Sequence, residues 1–252
     1  MIDFSHVTKA YGGRPIIADL SLSIARGAFV ALVGQSGAGK TTLLKAINRL
    51  VDIDEGTITI DGQDIASLPL PILRRRIGYA FQGAGLFPHM TVAANIALIP
   101  RLQGTSPAER DRRVAELLAL VALPATLADR YPTQLSGGQA QRVGFARALA
   151  AAPSIMLLDE PFGALDPVTR IDLGKAYRAL HDKMGLTSLL VTHDLAEALL
   201  MADRVIVLGD SRILADQPPA GLMAYRGDQT VRTLVDAVRD QAHRLETLAT
   251  AH

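Results

Sequence analysis

The segment GQSGAGKT, residues 34–41, constrains the fold of this chain more than any other. It matches the pattern G-x-x-x-x-G-K-[ST], it follows the apolar run FVALV, and an apolar helical face comes after it, formed by Leu43, Leu44, Ile47 and Leu50. Glycines allow the backbone to wrap around phosphates, the Lys40 ammonium neutralises β- and γ-phosphate oxygens, and the Thr41 hydroxyl is a ligand for Mg²⁺. The sequence therefore predicts a nucleoside triphosphate site where a strand meets a helix.

Short apolar strands alternate with helical patterns after this segment. Strands are predicted at FVALVG, IMLLDE, SLLVTHD and RVIVLGD, and a helix is predicted from the spacing of Leu173, Tyr177, Leu180 and Met184. Such alternation is typical of a mostly parallel sheet. Residues 2–60 favour an N-terminal β-rich layer with a hairpin turn at Asp61-Gly62, whereas residues 92–123 have the spacing of a helical insert.

Composition narrows the possible functions. The chain has 252 residues, with 26 Lys and Arg against 25 Asp and Glu, and aromatic residues make up 4% with no Trp. A net charge of +1 and so few stacking side chains argue against nucleic acid as a partner. The absence of cysteine excludes disulfide and thiolate chemistry. The longest apolar run, 148–158, is interrupted by Pro153 and Ser154, so we expect no membrane-spanning segment and no export signal.

Four polar side chains stand where predicted strands end, and parallel sheets bind ligands at that edge. Asp159 is suited to hold Mg²⁺ through water, and Glu160 to orient or deprotonate an attacking water. His193 could hydrogen-bond a γ-phosphate or that water, and Gln82 could ligate Mg²⁺. Taken alone, an Asp-Glu pair after a strand is more often solvated loop, a lone histidine is usually structural or exposed, and Gln82 could be an ordinary loop amide. The P-loop upstream favours the catalytic interpretation.

The segment LSGGQ, residues 135–139, opens a second predicted helix. Ser136, Gly137 and Gly138 stand at its start, where backbone N–H groups and the helix dipole favour an anion, yet no lysine accompanies them. The residues alone leave open which anion binds there and on which molecule.

Together the motifs GQSGAGKT, Gln82, LSGGQ, LLDEP, GALD and THD, in this order, resemble the ATP-binding subunits of ATP-binding-cassette (ABC) transporters from about Ile2 to Ala215. The resemblance implies an α/β fold with a P-loop NTPase (RecA-like) core, an N-terminal antiparallel β layer and a helical insert, with ATP and Mg²⁺ as cofactors. It implies that residues 1–82 and 153–217 form the nucleotide-binding core, 83–152 the helical subdomain, and 218–252 a short helical tail.

The resemblance also implies roles for individual residues. Glu160, His193 and Gln82 are expected to act in ATP hydrolysis, and Thr41, Gln82 and Asp159 to ligate Mg²⁺. The expected nucleotide-binding residues are Tyr11, which would stack on adenine, Gly34, Gln35, Ser36, Gly37, Ala38, Gly39, Lys40, Thr41, Thr42, Ser136, Gly137, Gly138, Gln139, and Asp166 of the D-loop.

The partners follow from the same resemblance. Because Lys40 and its loop already hold the phosphates, LSGGQ is implied to cap the γ-phosphate bound by a second copy, so that ATP lies between two subunits of a homodimer. We expect membrane permease subunits to contact the region of Leu86, Phe87 and Met90, although core packing explains these apolar side chains equally well. A substrate-binding protein outside the membrane would take part indirectly. The expected location is the cytoplasmic face of the inner membrane.

A finer resemblance concerns the transported solute. The phrases INRLVDIDEGTITIDGQDI, GLFPHMTV and YPTQLSGGQAQRVGFARAL are most similar to importer ATPases for osmoprotectants such as glycine betaine, choline and other quaternary amines. Ala140 and Gly83 depart from that pattern. Import of another small solute, and a cassette protein that drives a membrane regulatory complex, remain alternatives.

Two other nucleotide-dependent classes fit the sequence less well. DNA-maintenance relatives insert long coiled coils, whereas 53 residues separate Gln82 from Ser136, and no Asn-Lys-x-Asp motif for guanine occurs. After Pro218-Pro219 the tail places Val231, Leu234, Val235, Val238 and Leu245 on one helical face, which predicts a helix packed on its own domain or across a dimer.

Overall fold

A computed structural model describes residues 1–250, which form ten strands and ten α-helices. The strands are β1 (Ile2–Tyr11), β2 (Arg14–Ile24), β3 (Phe29–Gly34), β4 (Glu55–Ile60), β5 (Gln63–Asp64), β6 (Ile77–Ala80), β7 (Ile155–Asp159), β8 (Thr187–Val191), β9 (Arg204–Gly209) and β10 (Arg212–Gln217). The predicted strands FVALVG, IMLLDE, SLLVTHD and RVIVLGD correspond to β3, β7, β8 and β9.

The α-helices lie between these strands and after the last of them. They are α1 (Lys40–Ile47), α2 (Leu70–Arg75), α3 (Val92–Ile96), α4 (Leu98–Leu102), α5 (Pro107–Leu120), α6 (Gly137–Leu149), α7 (Pro167–Met184), α8 (Leu195–Met201), α9 (Pro219–Met223) and α10 (Gln229–Thr250). Short 3₁₀ turns occur at Ile65–Ser67, Ala125–Leu127 and Pro132–Gln134. The helical insert predicted at 92–123 is thus made of α3, α4 and α5.

The chain divides into two compact units. The first contains Met1–Ile24, Ala28–Asp64 and the chain from Leu190 onward, and the second contains Ala25–Gly27 and Ile65–Leu189. The predicted domain boundaries, which group 1–82 with 153–217, stay a prediction.

The first unit carries an antiparallel sheet in the order β2-β1-β4-β5. Ile2 of β1 pairs with Ile24 on one side and with Ile60 on the other, and all three are buried because alternate side chains of a strand share one face. Asp61 and Gly62 both adopt positive φ, as a two-residue hairpin turn requires. The expected N-terminal β layer and its hairpin are confirmed.

A second set of strands in the first unit positions the P-loop. β3 pairs in parallel with β9, and β9 pairs antiparallel with β10. Every residue of β3 is buried, which explains its continuous apolar sequence. The P-loop therefore leaves the carboxyl end of a buried parallel strand, where α/β sheets bind ligands.

The second unit places β6 and β7 in parallel, with Ile77 opposite Ile155. The buried face of α7 includes Leu173 and Tyr177 as the spacing predicts, and also His181, whereas Met184 is exposed at the end of the helix. Aromatic packing of Phe145 from α6 against Tyr177 fills this core.

The tail is helical, as predicted, and α10 begins at Gln229. Val231 and Val235 are buried within the first unit, but Leu245 is 61% exposed, as are all the residues from 241 to 249. Within residues 1–250, no helix is both long enough and apolar enough to cross a bilayer.

Candidate nucleotide site

The P-loop of the first unit joins β3 to α1 and presents a cation enclosed by carbonyl oxygens. Lys40 is the first residue of α1 and is 7% exposed, and its Nζ donates to the carbonyl oxygens of Gly34 at 2.7 Å and Gln35 at 2.8 Å. Gln35, Ser36 and Gly37 are exposed. A phosphate can therefore reach the loop and compete with these carbonyls for the ammonium. Ala38 lies within the loop, and Thr41 and Thr42 continue α1.

Two glycines of the loop are required by close backbone packing. A Cβ on Gly34 would lie 2.2 Å from the carbonyl oxygen of Leu208, and one on Gly39 would lie 2.8 Å from that of Ile16. Gly37 has φ +82°, but a Cβ added there would meet no atom within 4 Å. The motif glycines thus differ in function: Gly34 and Gly39 allow close approach, and Gly37 allows the turn.

This difference predicts unequal costs of substitution. Gly34→Ala should lower the free energy of unfolding by about 3 kcal/mol, because backbone must move to admit the methyl group. Gly37→Ala should cost about 1 kcal/mol, since it adds backbone strain alone. Urea unfolding of both variants measures the difference. Equal midpoints would show that β9 does not crowd Gly34 in solution.

Tyr11 and His193, also in the first unit, lie at the ends of strands. Tyr11 is 50% exposed at the end of β1, with Lys9 Nζ 5.3 Å from its ring centroid. His193 is exposed between Thr192, whose N–H donates to Leu32 O at 3.3 Å, and Asp194, which caps α8. Both side chains are thus accessible to a ligand.

Asp159 of the second unit is held by a residue that sequence reasoning missed. Asp159 ends β7 and is 3% exposed, and the hydroxyl of Tyr79 in β6 donates to its Oδ2 at 3.2 Å. Burial, together with the neighbouring Asp159 carboxylate, raises the pKa of Tyr79 above its usual range. The hydroxyl therefore stays protonated and remains a donor that orients Asp159.

Glu160 follows directly in a strained conformation. Its φ is +48°, which is uncommon for a residue with a side chain. Gln82, which follows β6, donates its Nε2 to Glu160 Oε2 at 3.2 Å. The structure thus brings the two predicted catalytic residues of the second unit into contact.

The LSGGQ segment forms a capping box at the start of α6. Ser136 Oγ accepts from Gln139 N at 3.2 Å, and Gln139 Oε1 accepts from Ser136 N at 3.0 Å. Gly137 and Gly138 occupy the first turn, where backbone N–H groups have no intrahelical acceptor. The cap uses Ser136 Oγ as an acceptor, so its hydroxyl proton can still be donated to an anion.

Asp166 caps the next helix in the same unit. It precedes α7 and its side chain accepts from Thr169 N at 3.0 Å. That hydrogen bond lowers the pKa of the Asp166 carboxyl. Asp166 therefore stays ionised on an exposed turn.

One residue of the apolar patch predicted near Leu86 lines a groove of the second unit. Phe87 is 42% exposed and lies, with Arg147 over its ring, beside a cavity of about 390 Å³. The cavity is lined by Arg74, Ile77, Gly78, Tyr79, Phe81, Gly85, Phe87, Leu98, Ile99, Arg147, Ala148 and Ala151. Leu86 and Met90 are half-buried. Phe87 is thus the predicted patch residue that lines an open groove.

Comparison with known proteins agrees with this arrangement of motifs. Residues 17–163 match the family described as ABC transporter. The glycine betaine uptake system ATP-binding protein YehX of Escherichia coli (strain K12) is 50% identical over 232 residues, 92% of this chain and 75% of that protein. The chain belongs to the ATP-binding proteins of the ABC transporter family. The predicted resemblance is confirmed.

Two further relatives extend the comparison. The carnitine transport ATP-binding protein OpuCA of Listeria monocytogenes is 48% identical over 93% of this chain, which spans 59% of that relative's length. The chain is also similar to a solved structure, the dimeric post-hydrolysis state of the ATP-binding cassette MJ0796 bound to ADP and Pi. The sequence identity is 34% and the TM-score is 0.80, and the match covers 87% of this chain and 99% of the MJ0796 chain. The expected fold, the architecture of an ABC ATPase, is therefore confirmed.

Proposed function

We propose that this chain hydrolyses ATP to power a membrane ABC importer. The observation that carries the proposal is the contact between Gln82 Nε2 and Glu160 Oε2 at the end of β7, in a chain half identical to an uptake ATP-binding protein. Glu160 is the carboxylate that orients the attacking water and accepts its proton, and Gln82 holds that carboxylate. His193 would hydrogen-bond the γ-phosphate.

The phosphates of ATP are bound by the P-loop. Lys40 exchanges its carbonyl partners, Gly34 and Gln35, for β- and γ-phosphate oxygens, and the loop N–H groups surround the chain of phosphates. Tyr11 offers an exposed ring for adenine.

Mg²⁺ would be held by Thr41, Gln82 and Asp159. Hydroxyl, amide and carboxylate oxygens are ligands that suit this ion, which usually keeps several waters and takes one or two carboxylates together with substrate phosphates. When bound, the ion neutralises charge that develops on the phosphates.

A second copy completes the site. The first turn of α6 offers the N–H groups of Gly137 and Gly138 and the hydroxyl of Ser136, an arrangement suited to a γ-phosphate. Asp166 lies on an exposed turn that would contact the same partner. The dimeric MJ0796 cassette supports this assembly for a chain of the same fold.

The groove beside Phe87 would receive the permease. It combines apolar side chains with the guanidinium groups of Arg74 and Arg147, which suits an amphipathic helix with an acidic residue. Such docking places the chain on the cytoplasmic face of the inner membrane. The substrate-binding protein would act through the permease.

The proposed solutes are glycine betaine and other quaternary amines. The names of YehX and OpuCA support this class, since both relatives match more than nine-tenths of this chain. A cassette that drives a membrane regulatory complex would have the same ATP site as an importer subunit. The two functions are therefore distinguished by the membrane partner and by whether a solute is transported.

Reconstitution tests the proposed function. Purified alone, the chain should hydrolyse ATP slowly and move no solute, because partner subunits bias its closure. With its copurified permease and binding protein in liposomes, ATP should drive uptake of radiolabelled glycine betaine, and Glu160→Gln should abolish it. Copurification with a membrane complex that moves no solute would favour the regulatory alternative. Uptake by the isolated chain would contradict the proposal.

A further inference from the structure

The loop that carries Glu160 is strained and must be held by its surroundings. Glu160 has φ +48°, in the left-handed region that side chains disfavour, and the loop returns to helix α7 after Asp166. Strain of this kind persists where neighbouring groups determine the conformation. Within the loop, Gly163 N donates to Glu160 O at 3.3 Å, a long contact.

A buried amide on α6 supplies a stronger constraint. Gln141 is 6% exposed, and its Nε2 donates to the carbonyl oxygen of Glu160 at 2.9 Å, while its Oε1 accepts from the N–H of Ala164 at 3.0 Å. The Gln141 amide can bond both the Glu160 carbonyl and the Ala164 N–H in only one orientation. If its oxygen and nitrogen were exchanged, its NH₂ would face the Ala164 N–H. Gln141 therefore bridges the two ends of the turn.

The same helix contacts the loop that follows Gln82, the other member of the catalytic contact. Arg147 donates to Gly85 O at 2.8 Å and to Ala84 O at 3.3 Å, and a Cβ on Gly144 would lie 2.7 Å from Ala84 O. These carbonyls follow Gln82 closely in the chain. Residues 141, 144 and 147 recur at helical spacing, so one side of α6 reaches both loops.

We propose that Gln141 is a positioning residue for the Glu160 carboxylate. By fixing the Glu160 carbonyl and the Ala164 N–H together, its amide sets the direction in which the Glu160 side chain leaves the loop toward Gln82. Because Ser136 caps α6, the helix proposed to contact a partner's nucleotide is also the helix that orients the hydrolytic group. The inference rests on the proposed ATPase function.

The test compares Gln141→Met with a matched change on the surface. Methionine preserves length and bulk but forms neither hydrogen bond, so kcat for ATP should fall about tenfold or more while KM and nucleotide binding change less than twofold. Gln103→Met makes the same replacement at an exposed position of the same unit and should leave both constants unchanged. A kcat of Gln141→Met equal to wild type would overturn the proposal.

A second variant separates positioning from general packing. In the Glu160→Gln background, Gln141→Met should add no further loss of the residual turnover and should leave ATP-dependent dimer trapping intact, since the group it orients is already gone. A further tenfold loss, or failure to trap the dimer, would show that Gln141 acts on something other than the Glu160 carboxylate.

A measurement on the unaltered chain remains decisive if the variant does not fold. The Ala164 amide, donated to Gln141 in an exposed turn, should exchange its hydrogen much more slowly than the intrinsic rate for an unprotected amide. Exchange at the unprotected rate would overturn the proposal. Loss of hydrolysis in Glu160→Gln is checked first, because normal turnover there would contradict the proposed function itself rather than the role of Gln141.

Discussion

Glu160→Gln should lower ATP turnover by at least about a hundredfold while leaving nucleotide binding intact. The amide retains an oxygen that can accept from Gln82 Nε2, so the contact seen at 3.2 Å survives. The substitution removes the carboxylate, whose negative charge orients water and which accepts the proton of that water. Binding without hydrolysis should then accumulate an ATP-bound dimer.

Two measurements check this result. Phosphate release gives turnover, and sedimentation with ATP and Mg²⁺ gives the fraction of dimer. Glu109→Gln is a suitable control because Glu109 is an exposed carboxylate in the first turn of α5, remote in sequence from every motif. Near-normal turnover of Glu160→Gln would remove Glu160 from its proposed role.

A mixed dimer of Lys40→Ala and Ser136→Arg should occlude ATP although neither variant does so alone. Lys40→Ala removes the ammonium that now contacts Gly34 and Gln35, and Ser136→Arg places a large cation at the start of α6. If LSGGQ serves the partner's nucleotide, one site of the mixed dimer collects both defects. The other site joins an intact P-loop to an intact LSGGQ.

The structure supplies a control for the loss of the helix cap. Ser136 caps α6 and Ser106 caps α5 in the same way, since each accepts from the N–H of the third residue of its helix. Ser106→Arg therefore removes a comparable cap, worth about 1 kcal/mol, without touching LSGGQ, and its homodimer should occlude ATP normally.

Occlusion is measured on heterodimers isolated through two different affinity tags. If LSGGQ served the nucleotide of its own chain, every site would keep one defect and no occlusion would occur. An assembled heterodimer that fails to retain ATP would contradict the proposed sharing of the site.

The sequence by itself determined the elements that carry the nucleotide motifs. The P-loop pattern requires glycines between a strand and a helix, and the continuous apolar run FVALVG predicts a buried strand, which β3 is. The capping box of Ser136 and Gln139 and the turn at Asp61-Gly62 are equally local, because residues a few positions apart satisfy one another. Such features depend on spacing alone.

Contacts between distant segments were decided by the tertiary structure. In the sequence, Tyr79 is one more apolar residue of IGYAF. Its hydroxyl becomes significant in the structure, because β6 lies beside β7 and the hydroxyl donates to Asp159. Gln141 lies 19 positions from Glu160, and no periodicity in the sequence pairs them. A buried polar side chain needs a partner, and sequence shows that need without showing which distant group meets it. Leu245 shows the same limit for an apolar residue. The sequence places it on the apolar face of a helix, but only the tertiary structure shows that this part of α10 is exposed.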